Sequence, residues 1–316
     1  ANLLLGRLDV SKLKSVSEPV DLDHIRAIFQ KKLGDPLNVD SETAAAAVLQ
    51  VAITRMAGAT RMVSVSLGED PRDFSLFAFG GAGPMHASAL ARELGIPEVL
   101  VPARPGITNA LGCIVADLKH DFVRTINSPL NLADMQEIAA ILKAQRDEGL
   151  ELIRQEPVSI EETRVTHSLD MQFVGQTHIL QVSLPKDQIN RESIQLAFDE
   201  AYFGRFRVRL PEIRAQIVNI KTTVTGRRAS ICLDGLIDPA GRARSLTKAQ
   251  IGTRPVWFNG CWQDTQVFDR EALPLDAKIK GPAVLEQMDT VVLIEPGDEA
   301  VSDKDGNILV TLGAAE

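Results

Sequence analysis

The sequence predicts an α/β fold that becomes β-rich in its second half. Over about the first 130 residues, stretches with helical periodicity alternate with short apolar runs typical of buried strands. A charged amphipathic segment follows at 134–155, and beyond it short alternating strands are separated by turn residues. We therefore expect part of an α/β domain at 1–130, a linking helix at 131–156 and a β-rich domain at 157–316.

Two helices are predicted ahead of the first strand. One covers Asp21–Leu33, where a glycine and a proline end the helical pattern. The other is rich in alanine, is capped by Asp40 or Ser41 and runs to about Met62. Apolar residues at helical spacing predict a buried face on this second helix, made of Val48, Val51, Met56 and Met62.

The first strand runs into a turn that contains three glycines. The segment FGGAGPMHASALARELG, residues 79–95, follows an apolar run at 74–79 and has the pattern of a helix that Gly95 ends. At Gly80, Gly81 and Gly83 a purine or ribose could lie against bare backbone. The turn lacks the lysine of a phosphate-binding loop, so it suits the adenosine side of a nucleotide better than its terminal phosphate. A purely structural connection between strand and helix explains the same glycines.

Three polar side chains near this turn are candidates for chemistry. His86 falls in the first turn of the helix, where the helix dipole disfavours imidazolium, so a catalytic role would use the neutral ring. Contact with local backbone is the alternative for His86. Asp117 and Asp121 are spaced i, i+4, and on a helix they would share a face able to approach Mg²⁺ or a partner. A solvated helix end is the alternative for this pair.

The composition argues against some classes of partner. The chain has 316 residues, is 45% hydrophobic and carries a formal net charge of −8, which disfavours nucleic acid and anionic membranes. No stretch approaches the ~20 apolar residues of a membrane span. Widely spaced Cys113, Cys232 and Cys261 fit a reducing cytoplasm better than a disulfide framework. Because the chain begins without an initiator Met or a signal peptide, we expect a cytoplasmic fragment or processed piece.

The glycine turn lies in a longer stretch whose motifs resemble one protein family. DPRDFSLFAFGGAGPMHASALARELGIPEVLVPARPGITNALGCIVADLKHDFVRT, residues 70–125, resembles the hydantoinase A / 5-oxoprolinase family in its FGGAGP-x-H-A turn, V-P-x-x-P-G segment and S/N-A-L-G-x-x-x-A-D helix. The opening ANLLLGRLD and the closing GPAVLEQMDTVVLIEPGDEAVSDKDGNILV are similar to family segments as well. LDMQFVGQTHIL is similar to the L-R-Y-x-G-Q signature, with Gln172 where an arginine is usual.

The resemblance implies a fold and a cofactor. Family members have an acetate-kinase and actin-like fold, in which two ribonuclease-H-like lobes close around ATP and a β-rich C-terminal domain is appended. By this resemblance the adenosine part of ATP contacts Gly80, Gly81, Ala82, Gly83 and Pro84, and Mg²⁺ accompanies the phosphates. The implied partners are a B-type subunit and a small cyclic amide substrate such as a hydantoin or 5-oxoproline.

One departure from the family pattern limits what this chain does alone. The Asp-x-Gly-Gly-Thr phosphate loops of the family have no counterpart in the 316 residues. The chain therefore resembles the C-terminal half to two-thirds of a hydantoinase A subunit. We expect it to need the N-terminal half as a partner and to be inactive in isolation.

Three functions fit these observations. They are a part of an ATP-dependent cyclic amidase of the hydantoinase/5-oxoprolinase type, a subunit of an ATP-dependent ketone carboxylase acting on acetone or acetophenone, and an assembly module without catalysis. Bicarbonate dependence separates the first two functions. Substrate-dependent release of ADP separates both from the third.

Overall fold

The chain folds into two compact units in the part that the structure describes. The computed structural model describes residues 1–12, 20–184, 189–210, 213–232, 235 and 239–313. One unit combines residues 1–112 with 232–316, and the other consists of 113–231. This division differs from the order expected from the sequence, because residues 157–316 are shared between the two units instead of forming one β-rich domain.

The helices lie mainly in the first two-thirds of the chain. In chain order they are α1 (Leu22–Phe29), α2 (Asp35–Leu37), α3 (Ser41–Leu67), α4 (Gly83–Leu94), α5 (Thr108–Val115), α6 (Met135–Gln155), α7 (Arg191–Phe206) and α8 (Leu246–Ala249). A π-helical turn, Gln30–Gly34, continues α1 into α2. Among the described residues, none of the helices combines the length and apolar character needed to cross a bilayer.

The strands are concentrated in the second half, as expected. They are β1 (Leu76–Phe77), β2 (Glu98–Val101), β3 (Leu118–Pro129), β4 (Ile160–Phe173), β5 (Leu180–Ser183), β6 (Ala215–Arg228), β7 (Gln250–Phe258), β8 (Cys261–Asp269), β9 (Lys278–Lys280), β10 (Ala283–Glu286), β11 (Val291–Ile294), β12 (Glu299–Ser302) and β13 (Ile308–Thr311).

Two sheets form the discontinuous first unit. One has the order β1-β2-β13-β12-β9, in which β1 and β2 are parallel and all other neighbours are antiparallel. The other has the order β11-β10-β8-β7, in which only β10 and β8 are parallel. Helix α4 contributes Ala87, Ala91 and Leu94 to the apolar core that these sheets share. Because β13 lies beside β2, the end of the chain completes a sheet that its beginning starts.

The second unit is one antiparallel sheet covered by helices. Its strands have the order β3-β6-β4-β5. Phe173 of β4 makes edge-to-face contacts with Phe198 and Tyr202 of α7, with ring centroids 4.8 and 4.7 Å apart. Ile138 and Leu142 of α6 are buried in the same core. The segment predicted as a linking helix is therefore a packed helix of this unit.

The start of the long helix α3 was predicted correctly, but its buried face was not. Asp40 caps the helix by accepting a hydrogen bond from the Thr43 amide, and Gly68 in the left-handed region ends it. The residues on its buried side are mostly small: Ser41, Ala44, Ala45, Ile53 and Ala57. The residues expected to be buried are instead exposed: Val48, Val51, Met56 and Met62. The side chains on the buried side are small because α3 packs closely against the rest of the chain on that side.

The first strand is also shorter and less buried than predicted. Only Leu76 and Phe77 are paired, with β2, and Phe77 keeps 47% of its surface exposed. Ala78 is the buried residue of this run. An apolar run alone does not distinguish a buried strand from a surface segment whose apolar side chains could contact another polypeptide.

Two glycines of the second unit provide a stability test. A Cβ at Gly149 of α6 would lie 2.4 Å from Cγ2 of Val224, whereas a Cβ at Gly204 of α7 would meet no atom within 4 Å. We expect Gly149→Ala to destabilise the unit by about 1–3 kcal/mol through overpacking. Gly204→Ala should stabilise it by roughly 0.4–1 kcal/mol through the unfolded state. Urea unfolding measures both, and equal free energies of unfolding would contradict the close packing of α6.

Candidate functional site

The glycine turn, residues 79–84, is fixed by backbone contacts on two sides. Gly80 has a φ of +80° and donates its amide hydrogen to the Pro105 carbonyl at 2.8 Å. The Thr290 hydroxyl donates to the carbonyl of Gly81 at 3.0 Å. Thr290 belongs to the turn between β10 and β11, so the second sheet holds a loop that leaves the first sheet. These two hydrogen bonds constrain the backbone of the turn.

The three glycines differ in what surrounds them. A Cβ at Gly80 or Gly83 would meet no atom within 4 Å, whereas a Cβ at Gly81 would lie 3.2 Å from the Asp289 carbonyl oxygen. Gly81, Ala82 and Gly83 are all exposed. The backbone of the turn is therefore unobstructed at Gly80 and Gly83, whereas Gly81 leaves little room for a side chain.

Helix α4 follows the turn with the limits predicted from the sequence. It begins at Gly83 with the buried Pro84 in its first turn. Ala82 provides no side-chain cap for the first amides. Gly95, in the left-handed region, donates its amide hydrogen to the carbonyls of Ala91 and Arg92 and ends the helix.

His86 lies in the first turn of α4, half-buried against the start of the chain. Its Nε2 is 3.4 Å from the side-chain nitrogen of Asn2. Burial lowers the pKa of His86, and the nearby Arg7 guanidinium lowers it further. The ring is thus neutral at pH 7, the form expected from the sequence, although burial is the larger cause. It can donate from one ring nitrogen and accept at the other.

Buried polar groups without partners surround this histidine. Among the described residues, Oδ1 of Asn2 and Nε of Arg7 are buried without a hydrogen-bond partner. Burial also lowers the pKa of Arg7, while the Glu295 carboxylate opposes that shift. A ligand or another chain can supply the missing hydrogen-bond partners of such buried donors and acceptors. The sequence patterns missed Asn2 and Arg7, whose only signal was the family-like opening ANLLLGRLD.

A buried ion-pair cluster ties α4 to the end of β11. Arg92 donates to Glu295 and to Asp298, each at 2.6 Å. Burial raises the pKa of Glu295, and the Arg92 guanidinium is the main opposing influence. Since Arg92 lies in the last turn of the helix whose first turn carries His86, this cluster fixes the orientation of α4. Its components are too far apart in sequence for spacing to reveal them.

The two carboxylates expected to share a helix face do not do so. Helix α5 ends before them, Asp117 precedes β3 and Asp121 lies within β3. Asp117 accepts a hydrogen bond from the Arg228 amide at 3.1 Å, and Asp121 pairs with Lys119 at 2.9 Å. The helix prediction was wrong because pairing with β6 extends this segment. Over the described parts of the chain, no group of three or more His, Cys, Asp or Glu side chains could hold a metal ion.

Family models account for nearly the whole chain. The hydantoinase/oxoprolinase model matches residues 1–122, and the hydantoinase/oxoprolinase C-terminal domain matches 128–309. This chain belongs to the hydantoinase/oxoprolinase family. The resemblance predicted from its motifs is confirmed. The two matched regions meet within β3, whereas the compact units divide the chain differently.

Relatives within the family have different activities. Caprolactamase subunit alpha of Pseudomonas jessenii is 28% identical over 99% of this chain and 46% of its own length. Acetone carboxylase beta subunit of Xanthobacter autotrophicus is 27% identical over 96% of this chain and 44% of its own. The 5-oxoprolinase PfmaA of Pestalotiopsis fici is 28% identical over 94% of this chain and 24% of its own. The chain spans less than half the length of these relatives.

Solved structures confirm the predicted fold class. The crystal structure of ATP-dependent caprolactamase from Pseudomonas jessenii matches 99% of this chain and 46% of that chain, with a TM-score of 0.80 and 27% identity. A nucleotide-free acetone carboxylase structure matches 98% of this chain and 45% of that chain, with a TM-score of 0.71 and 23% identity, and supports the fold alone. The chain has an α/β fold with part of an actin-like ATPase lobe.

The neutral form of His86 predicts how stability changes with pH. Burial also lowers the pKa of His167, with a smaller effect from Arg146. The unfolded chain protonates both rings at higher pH than the folded chain, so the stability is fully present above about pH 6.5 and falls as the pH decreases below it. We expect His86→Gln to reduce that fall, in urea unfolding followed between about pH 5 and 8. His167→Gln is the matched variant, and it should reduce the fall for the same reason. A His86 ring that titrates at or above about 6.5 by NMR would contradict the prediction.

Proposed function

We propose that this chain is the C-terminal part of the ATP-binding subunit of a cytoplasmic ATP-dependent cyclic amidase. With a B-type partner, the complete subunit would phosphorylate and open a small lactam or hydantoin ring. The main support is the similarity to caprolactamase subunit alpha over 99% of this chain. The open glycine turn gives that similarity a physical basis, because it suits a nucleotide.

Two features of the described backbone support adenosine binding at the glycine turn. Bare backbone at Gly80 and Gly83 admits a flat ligand, while the Thr290 hydroxyl donates to the Gly81 carbonyl. Because the turn is already fixed, ordering it on binding would cost little conformational entropy. Bound ATP would supply the phosphoryl group that converts a poorly reactive amide oxygen into a leaving group.

His86 and Arg7 are our candidates for polar contacts near this turn. The neutral imidazole of His86 can orient a polar group through one donor and one acceptor. Arg7 supplies a positive charge and an unpaired buried Nε–H beside it. We propose that both groups position a ligand and that neither acts as a proton-transfer catalyst.

The phosphate side of the site is proposed to lie in other polypeptide. The sequence contains no Asp-x-Gly-Gly-Thr loop. We assign no ligand of Mg²⁺ to this chain, since Asp117 accepts a hydrogen bond from the Arg228 amide and Asp121 pairs with Lys119. Phosphoryl transfer needs positioning from both sides of the cleft, so the chain alone should not hydrolyse ATP.

A ketone carboxylase subunit is the second candidate. The observation in its favour is the match to acetone carboxylase beta subunit over 96% of this chain. Both functions would share an activated oxygen and the same adenosine site. A carboxylase would require bicarbonate for ADP release, whereas an amidase would not. An assembly module without catalysis would release no ADP with either class of substrate.

An exposed apolar face on α3 supports the proposed partner. The face, residues 47–63 on the outer side of α3, includes Val51 with 56% and Met62 with 71% of its surface exposed. It also contains Gly58, where an added Cβ would meet no atom within 4 Å. Exposed apolar side chains grouped on one helix indicate an interaction surface. We propose that the polypeptide corresponding to the remaining half of the caprolactamase subunit covers it, since this chain spans 46% of that subunit.

Reconstitution tests the catalytic proposal. With that complementary polypeptide and a B-type partner, we expect ATP hydrolysis that depends on a lactam or hydantoin and does not depend on bicarbonate. Gly83→Leu should place a side chain at the open face and weaken ATP binding by about 1–3 kcal/mol, the scale of an overpacking clash. Gly204→Leu, in α7, is the matched control because its Cβ is also unobstructed.

Three results bear on this test. Loss of nucleotide affinity in Gly83→Leu alone, with thermal stability retained, supports the adenosine site. Unchanged affinity in a folded Gly83→Leu assembly would mean that the turn only connects strand and helix. ATP hydrolysis by the isolated chain, free of contaminating ATPase, would contradict the missing phosphate side.

Association tests the α3 face separately. Val51→Glu should weaken binding of the complementary polypeptide by at least about tenfold, because it introduces a charge into a buried apolar contact. Leu196→Glu on α7, where the side chain is 64% exposed, should have little effect. Sedimentation or calorimetry measures the affinity. Equal affinity for both variants would exclude this face from the interface.

A further inference from the structure

A polar cavity of about 260 Å³ lies in the first unit, at the ends of β2, β8 and β10. Strands β8 and β10 are parallel neighbours, so the residues that follow them emerge at the same edge of the sheet. Three arginines line the cavity: Arg104, Arg242 and Arg270. Residues of the glycine turn do not line it. The cavity is therefore separate from the proposed nucleotide site.

Arg270 is a buried cation at the centre of this arrangement. Only 2% of its surface is exposed. One terminal nitrogen donates to Oε1 of Gln287 at 3.1 Å, and the other donates to the carbonyls of Val101, at 3.2 Å, and of Pro102. Its Nε is buried without a hydrogen-bond partner. Burial and the neighbouring Arg242 lower the pKa of Arg270 to about 10, which reflects incompletely compensated positive charge.

Arg242 adds a second donor of the same kind. One terminal nitrogen donates to the Arg270 carbonyl at 3.3 Å and to the Leu273 carbonyl at 3.1 Å. Its Nε is also buried and unpaired. These bonds orient the guanidinium but leave an N–H group without an acceptor.

Both carboxylates of the cavity have partners, and Asp269 also offsets part of the charge of Arg242. Glu271 pairs with Arg104 and accepts a bond from the Gln287 side chain at 3.3 Å. Asp269 accepts a hydrogen bond from the Glu271 amide at 3.0 Å. Among the described residues that line the cavity, there are three arginines and two carboxylates. Asp289 lies outside the lining and only partly opposes the pKa shift of Arg270.

We propose that this cavity binds a small oxyanion, a phosphate or a carboxylate group, through the guanidinium groups of Arg242 and Arg270. Guanidinium N–H groups match the geometry of both anions. Arg242 and Arg270 donate to neutral carbonyl and amide oxygens, so an anion would add a charge-assisted partner. The volume of about 260 Å³ suits a small anion better than a nucleotide. The proposal is independent of the amidase proposal.

Titration of the wild-type chain tests the site directly. Inorganic phosphate and acetate are added separately at about 0.15 M NaCl, which screens exposed surface charges. The ¹⁵N-resolved Nε–H signals of arginine are followed by NMR, and calorimetry gives the affinity. We expect saturable shifts confined to a few arginine signals, including those lost in Arg242→Gln. Tighter binding of phosphate than of acetate would identify a phosphate site, and the reverse a carboxylate site.

Variants then locate the binding. Arg242→Gln should weaken anion binding by at least about tenfold, whereas Arg154→Gln on α6 removes an equal charge that is exposed and should change it little. Arg242→Lys should also bind weakly, because it keeps the charge but lacks the Nε–H group. Absence of saturable binding to the wild-type chain would overturn the proposal. Equal binding by the wild-type chain and a folded Arg242→Gln variant would overturn it as well.

Discussion

The antiparallel pairing of β13 with β2 is the constraint on which the first unit depends. Its register places Leu309 opposite Leu100 and Val310 opposite Val99, so strands from the first third and the last part of the chain share one sheet. Because β13 lies between β2 and β12, its removal would divide that sheet. Closing so long a loop costs conformational entropy, which burial of the apolar side chains of both strands offsets.

The glycine turn takes its position from both sheets of this unit. The Ala78 amide donates to the Leu100 carbonyl at 2.9 Å, which aligns the segment ahead of the turn with β2. The segment between β10 and β11 holds the turn from the second sheet through Thr290. The same segment provides Gln287 to the arginine cavity. A short hairpin connection thus links the open backbone of the turn with the buried cation Arg270.

The sequence predicted the features that depend on local chemistry. Helix α4 has the expected limits because Gly95 can adopt a left-handed conformation, and Asp134 caps α6 where the charged helix was expected. It did not predict which side of α3 is buried, since apolar periodicity does not show which apolar face packs within the chain. It assigned Asp117 and Asp121 to a helix, because the partner strand β6 that extends this segment lies a hundred positions away.

Sequence patterns did not predict the polar groups that tertiary contacts bury. Asn2, Arg7 and His86 meet only because the start of the chain is anchored to β7, where the Trp257 amide donates to the Leu5 carbonyl at 3.0 Å. Their unpaired atoms lie in a unit whose apolar core is closed, whereas the outer face of α3 is open. The first unit is therefore complete as a folded body but incomplete in its polar contacts. This arrangement supports the half-site that we propose, in which the adenosine side would require a second polypeptide to position the phosphates.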